Sequence, residues 1–183
     1  MVAAVAGMAA YGGMSLVMAG VPVRMVLCGF GAGDGAAVLG LHGVAMFAPG
    51  LVAGRLVEQF GARRMVCAGG LLSMGCAALS LGGGPAYPSF AAALALLGLG
   101  WNLMVTGATA LLARAHGPDE RMRAQAANDF LVFGAVACAS LGSGLLQGTA
   151  GWRAVDVAAV PVVAIGLAAV LRHRAAPGRP APA

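Results

Sequence analysis

Charged residues are scarce in this sequence. Only 9% of its 183 residues are charged, lysine is absent, and the mean hydropathy is +0.89. A water-soluble domain of this length could not bury so much apolar side-chain surface. The composition therefore excludes a soluble globular protein and predicts a protein that is surrounded by a lipid bilayer.

Metal-binding and catalytic patterns are also missing. The four cysteines show no CxxC spacing and the three histidines are scattered, so the ligand spacing of a zinc site is absent. The sequence contains no nucleophile elbow, phosphate loop or HExxH helix. We therefore expect neither an enzyme nor a protein that holds a metal or another cofactor.

The main feature of the sequence is a series of long apolar runs without charged residues. A helix needs roughly 20 apolar residues to cross a bilayer, and in lipid the backbone must form its hydrogen bonds internally. The alternation of polar and apolar residues that marks a membrane β-barrel is absent from these runs. The sequence predicts six transmembrane helices, at about 2–21, 34–56, 63–82, 88–113, 123–147 and 154–171.

These helices predict an all-α membrane protein with one six-helix transmembrane domain, residues 1–171. The segment 172–183 is rich in proline and alanine and is predicted to be a disordered cytoplasmic tail. Pro49 and Pro161 fall inside helices two and six, where proline can kink a helix.

The distribution of arginine predicts the orientation of this domain. Nine of the eleven arginines follow helices two, four and six, and only Arg24 and Arg153 lie in the other connections. Because positive charge accumulates on the cytoplasmic side, both termini are predicted to be cytoplasmic. We expect a multi-pass protein of the bacterial inner (plasma) membrane. Since the charge is sorted by membrane side, we expect no nucleic-acid partner.

Five polar residues inside the predicted spans are candidates for a transport pathway or for proton coupling. They are His42 in helix two, Asn102 and Thr106 in helix four, and Asp129 and Ser140 in helix five. A polar side chain in hydrocarbon usually faces a cavity or a partner. On helix five, one line of polar residues is predicted from Gln125, Asp129, Ser140, Ser143 and Gln147.

Four of these five candidates have a structural alternative. His42 can bond a neighbouring backbone carbonyl, and Asp129 can pair with an arginine of a loop. Asn102 and Thr106 can hold helices together without touching a solute.

The segment GRLVEQFGARR (54–64) places three arginines and one glutamate between two apolar runs. It resembles the loop signature of the major facilitator superfamily, which joins the second and third helices of each six-helix half. Gly54, Glu58, Gly61 and Arg63 fall in register, and Arg64 follows. Glu58 replaces the usual aspartate, which is typical of the family's second half. Residues 96–146 look like the fourth and fifth helices of a C-terminal half.

This resemblance implies a secondary active transporter, a permease that moves a small-molecule substrate across the cell membrane by alternating access. It implies a second six-helix half as partner, which is either a missing N-terminal half or another copy of the chain. It also implies a salt-bridged cytoplasmic latch between Glu58 and the arginines. Gly54 is expected to allow a close helix approach, and Gly61 a turn. A non-transporting membrane scaffold or assembly partner is the alternative.

Overall fold

The structure, a computed structural model, describes residues 1–117 and 119–172, and its regular elements there are all helices. The seven helices are α1 (Val2–Leu27), α2 (Ala32–Phe47), α3 (Gly50–Phe60), α4 (Ala62–Gly82), α5 (Tyr87–Ala115), α6 (Arg121–Ala150) and α7 (Trp152–Arg172). Five of them are long and apolar enough to cross a membrane, and α2 with α3 forms a sixth candidate span. The predicted all-α membrane fold is therefore confirmed. The predicted tail, apart from residue 172, lies outside the described residues.

The second span, predicted over 34–56 with Pro49 as a kink site, is divided into two helices, so the change at Pro49 is a break and not a kink. The axes of α2 and α3 differ by 43° across the break at Ala48 and Pro49. Proline has no N–H for the helix ladder and its ring clashes with the preceding turn, which explains where the helix stops. By contrast, α7 continues through Pro161 as one helix.

A side chain from α5 stabilises this break. Nδ2 of Asn102 donates a hydrogen bond of 2.7 Å to the carbonyl oxygen of Met46, in the last turn of α2. Within a bilayer no water is at hand for a carbonyl that a helix break leaves free. The amide of Asn102 therefore supplies a donor where the helix ends.

Small residues set the spacing of the central helices. α5 packs closely against α4, and Gly69 of α4 faces Gly100 of α5. A Cβ on either glycine would overlap the backbone of the other helix, so the two helices can approach this closely only without side chains there. α1 packs against α6 and α7, and α2 packs against α5.

The two ends of the bundle are distinct. At one end, which we call the Arg63 end, a cavity is lined by Met1, Arg63, Leu112 and Val170. The opposite end, the Arg24 end, contains the last turn of α1 and the first turn of α7. Because α1 extends to Leu27 rather than ending near residue 21, Arg24 lies inside this helix.

Candidate transport pathway

An aromatic cluster joins four helices near the middle of the bundle. It consists of Tyr11 (α1), Phe47 (α2), Trp101 (α5) and Phe133 (α6). The ring centroid of Tyr11 lies 5.0 Å from that of Trp101, and those of Phe47 and Trp101 are 6.2 Å apart. Phe133 lies 6.4 Å from Tyr11. The two pairs that involve Trp101 are edge-to-face, an arrangement that is favourable at these distances, and the Tyr11–Phe133 pair is tilted.

This aromatic cluster is buried at one side and open at the other. Trp101 is only 8% exposed, whereas Phe47 and Phe133 are 67% and 64% exposed. Nε1 of Trp101 and Oδ1 of the adjacent Asn102 are buried and have no hydrogen-bond partner in the part of the chain that the structure describes. A donor and an acceptor are thus left unused on two successive residues beside an open aromatic surface.

His42 is fully buried between α2 and α5. Its Nδ1 lies 2.9 Å from the carbonyl oxygen of Leu94, the contact that the structural alternative for His42 describes. Because a carbonyl only accepts, Nδ1 must carry the proton, which leaves Nε2 as an acceptor in the neutral ring. Nε2 is buried without a partner within 1–117 and 119–172. Thr106 of α5, another of the predicted pathway candidates, is half-buried.

The predicted polar line on α6 divides into separate groups. Nε2 of Gln125 donates to Oδ1 of Asp129 at 2.7 Å, and Nδ2 of Asn128 lies 3.4 Å from the same oxygen. Among the residues that the structure describes, the partners of Asp129 are therefore amides of its own helix and not a loop arginine. Further along, Ser143 is fully buried, whereas Ser140 is exposed, because about 60° separates them around the helix.

The glycines of the 54–64 loop differ in their roles. Gly61 has φ +84°, a value that favours glycine, and it forms the turn between α3 and α4. Gly54 is exposed, and a Cβ built on it would meet no atom within 4 Å in the described parts of the chain. The expected close helix approach at Gly54 is therefore absent from this six-helix unit, because that face of α3 points away from the bundle.

Arg63 bonds a helix end instead of the expected carboxylate. Its Nη2 donates to the carbonyl oxygen of Leu171 at 2.6 Å, at the C-terminus of α7. A cation is favourable there because the last carbonyls of a helix lack partners and carry negative partial charge. Glu58 and Arg64 are exposed.

A buried polar group was missed by the sequence analysis. Oγ of Ser80 donates to Oδ2 of Asp156 at 2.7 Å, and Nε1 of Trp152 donates to Oγ of Ser80 at 3.0 Å. Asp156 is 0% exposed, although it comes only a turn after the start of α7. The i, i+4 spacing of Trp152 and Asp156 was a usable signal for a shared face. No spacing in the sequence indicates the contact of Asp156 with Ser80, which lies 76 residues away.

Comparison with known proteins places this helical membrane unit in a family. The profile of the Major Facilitator Superfamily matches residues 3–183. The chain is 40% identical over 162 residues to the riboflavin transporter RfnT of Brucella anthropi. This matched segment covers 88% of this chain and 40% of that protein. It is 35% identical over 121 residues to the uncharacterized MFS-type transporters YddS and YdeG of Bacillus subtilis, covering 65% of this chain and 28% of each relative.

The chain belongs to the Major Facilitator Superfamily and is a multi-pass membrane protein. Its relatives are transporters and not enzymes. The matched segment spans less than half the length of each of these curated relatives.

Proposed function

We propose that this chain forms one six-helix half of a secondary active transporter that moves a small planar aromatic solute by alternating access. Riboflavin is the first compound to test. The observation that carries the proposal is the 40% identity to the riboflavin transporter RfnT over 88% of the chain. In this family of folds, two halves rock against each other around a site that lies between them.

The aromatic cluster supports a planar substrate. Phe47 and Phe133 offer exposed ring faces, and stacking on such rings contributes roughly 0.5–1.5 kcal/mol per pair. Nε1 of Trp101 and Oδ1 of Asn102 are buried and lack partners among the described residues, so a heteroaromatic edge with an acceptor and a donor would satisfy both in a transport state that opens this region. Leaving such groups unpaired costs about 1–3 kcal/mol each, so this complementarity favours binding.

The polar surface of α6 supports the need for a second half. Gln125 and Ser140 are exposed and Asp129 is half-buried. If this six-helix unit stood alone in a bilayer, these side chains would face hydrocarbon, which is costly. A second half, either an N-terminal half or another copy of the chain, would cover them and close the pathway. We therefore expect no transport by the monomer.

An uptake experiment tests this proposal. The chain is expressed in a riboflavin-requiring bacterial strain without its own importer, alone and together with the part of RfnT that this chain does not match. We expect uptake of labelled riboflavin from the pair and none from monomers of the chain. Uptake by dimers of the chain alone would identify another copy as the second half. Trp101→Ala should abolish uptake. The control variant Phe60→Ala, which removes an exposed ring outside the aromatic cluster, should retain it.

The same experiment can contradict the proposal. Robust uptake by verified monomers would overturn the requirement for a second half. A pair that assembles in the membrane but transports neither riboflavin nor a related ring compound would favour the non-transporting scaffold or assembly partner.

The arginine distribution supports an orientation in which the Arg63 end and both termini face the cytoplasm of a bacterial inner membrane. Gln59→Cys and Ala32→Cys test it in a variant whose four native cysteines are replaced by alanine. In intact cells a membrane-impermeant maleimide should label the cysteine at position 32. It should reach the one at position 59 only after the cells are opened. Labelling at 59 from outside would reverse the orientation.

A further inference from the structure

We propose that the cavity at the Arg24 end binds a short hydroxycarboxylate, a small organic monoanion. The cavity has a volume of about 180 Å³ and lies between α1, α4, α5 and α7. It is separate from the aromatic cluster, since no residue belongs to both. The polar side chains that line it are Arg24, Ser80, Ser89, Trp152 and Arg153.

The hydrogen bonds already present leave the guanidinium groups of Arg24 and Arg153 as the donors for a ligand. The hydroxyl hydrogen of Ser80 is donated to Asp156, and the indole N–H of Trp152 is donated to Ser80. Oγ of Ser89 donates to the carbonyl oxygen of Gly83 at 2.8 Å. Nε of Arg24, in contrast, is buried and finds no partner among the residues that the structure describes.

The charge of the cavity favours a monoanion. Arg24 and Arg153 bring two positive charges, and Asp156, which holds Ser80, brings one negative charge, so one positive charge remains. The helix dipoles do not change this balance, because α1 and α4 end here while α5 and α7 begin here. Arg24 is half-buried and its Nε has no partner among the described residues, so an anion of charge −1 would pair with it and balance the remaining charge.

The shape and the unused atoms favour a carboxylate that also carries a hydroxyl group. The planar guanidinium matches a carboxylate in a two-point contact, which chloride cannot make. Oγ of Ser80 lines the cavity and accepts one hydrogen bond, from Trp152, so its second lone pair can accept from a hydroxyl. Val17, Phe90 and Leu94 give the cavity apolar walls for a short carbon chain. Since one water occupies about 30 Å³, a molecule of several heavy atoms fits.

Tryptophan fluorescence tests the proposal without any transport assay. The chain has two tryptophans, so Trp101→Phe leaves Trp152, whose indole lines the cavity, as the reporter. The protein in lipid nanodiscs is titrated with lactate, with lactamide as the neutral analogue of the same shape, and with chloride at matched ionic strength. We expect a saturable change in emission with lactate alone.

Variants of arginine identify the contact. Arg24→Gln should weaken lactate binding about tenfold or more, the loss that corresponds to one charge-assisted hydrogen bond. Arg24→Lys, which keeps the charge without the fork, should retain part of the affinity. Arg55→Gln removes an exposed arginine of α3 and should change nothing. Size-exclusion chromatography of each variant verifies that it is folded.

Three outcomes would overturn this assignment: no saturable response, an equal response to lactamide or chloride, or lactate binding that Arg24→Gln leaves intact. None of these readings depends on riboflavin uptake or on a second half, so failure here leaves the proposed transport function standing. Equally, failure of the uptake experiment would not remove this site.

Discussion

α1 and α6 have similar lengths and are both apolar enough to span a membrane, yet their surroundings in the bundle are opposite. Thirteen of the 26 residues of α1 are buried, against two of the 30 residues of α6, Val132 and Ser143. The content of small residues does not explain the difference, because glycine and alanine make up 10 of the 26 residues of α1 and 11 of the 30 residues of α6. What differs is whether a neighbouring helix packs against those small residues.

The contacts of α1 show how little space its glycines leave. A Cβ on Gly13 would lie 2.9 Å from Cγ2 of Val163. One on Gly20 would lie 2.9 Å from Cζ3 of Trp152. On α6, a Cβ on Gly144 would meet no atom within 4 Å in the residues that the structure covers. The same residue type therefore marks tight packing in one helix and an open surface in the other.

The largest expected effect comes from filling that space. Gly20→Leu forces a side chain into the contact with α7, and overpacking of this kind costs about 3 kcal/mol. We expect a large fall in the Tm of the purified protein and loss of the monodisperse peak in size-exclusion chromatography. Gly144→Leu on α6 is the matched control and should change neither. If both variants were equally stable, the conclusion that α1 is tightly packed at Gly20 while α6 is open at Gly144 would be wrong.

The next prediction concerns the polar side of α6. The carboxylate of Asp129 accepts hydrogen bonds from the amides of Gln125 and Asn128. Both of these donors are uncharged. We expect Asp129→Asn to reduce proton-driven riboflavin uptake by the paired transporter to the level of control membranes, while Ser140→Ala retains uptake. Proton-coupled uptake that survives Asp129→Asn would remove this carboxylate from the pathway.

A smaller effect is expected on the apolar side of α6. Leu141 is 78% exposed and Leu145 is 68% exposed. Because exposed side chains contribute little to the fold itself, the double change to alanine should alter stability by about 0.5 kcal/mol or less. If a second half covers this face, the same change should weaken co-purification of the two halves. Equal recovery of the partner would place α6 against lipid instead.

The smallest effect should come from the buried hydroxyl of α6. Oγ of Ser143 has no hydrogen-bond partner within the described part of the chain, and it lies where α6 meets α1. Ser143→Ala removes an unsatisfied buried group and should raise stability by about 1 kcal/mol. Thermal unfolding measures the change, and Ser140→Ala, at an exposed position, should have no effect. A loss of stability in Ser143→Ala would indicate a bonded hydroxyl.

The spans were predictable because their signal is local. A run of apolar residues long enough to cross a bilayer lies within one segment of chain, so α4, α5 and α7 fall within a few residues of their predicted bounds. The turn at Gly61 is equally local, since only glycine adopts its φ readily. The break at Pro49 was marked by the residue type, but the residue alone does not tell a kink from a break.

The contacts between helices were not predictable from one sequence. Tyr11 meets Trp101, and Ser80 meets Asp156, across separations that no spacing rule connects. Asp156 is buried near the start of α7, and the hydrogen bond from Ser80 makes this burial tolerable. The residues of the predicted polar line on α6 differ in burial for a related reason. Helical geometry groups residues on a face, whereas the neighbouring helix decides which of them are covered.

The interruption after Phe47 also has a mechanical consequence. Bending an intact helix would require breaking backbone hydrogen bonds in the hydrocarbon, but at Ala48 and Pro49 the ladder is already interrupted. Near this joint, the amide of Asn102 holds the final turn of α2 to α5, while α3 bears the arginine-rich loop on its far side. The segment 50–60 therefore joins the span at a point where the backbone ladder is already interrupted. A change in its angle relative to α2 would not require unwinding α2, whose last turn is held by Asn102.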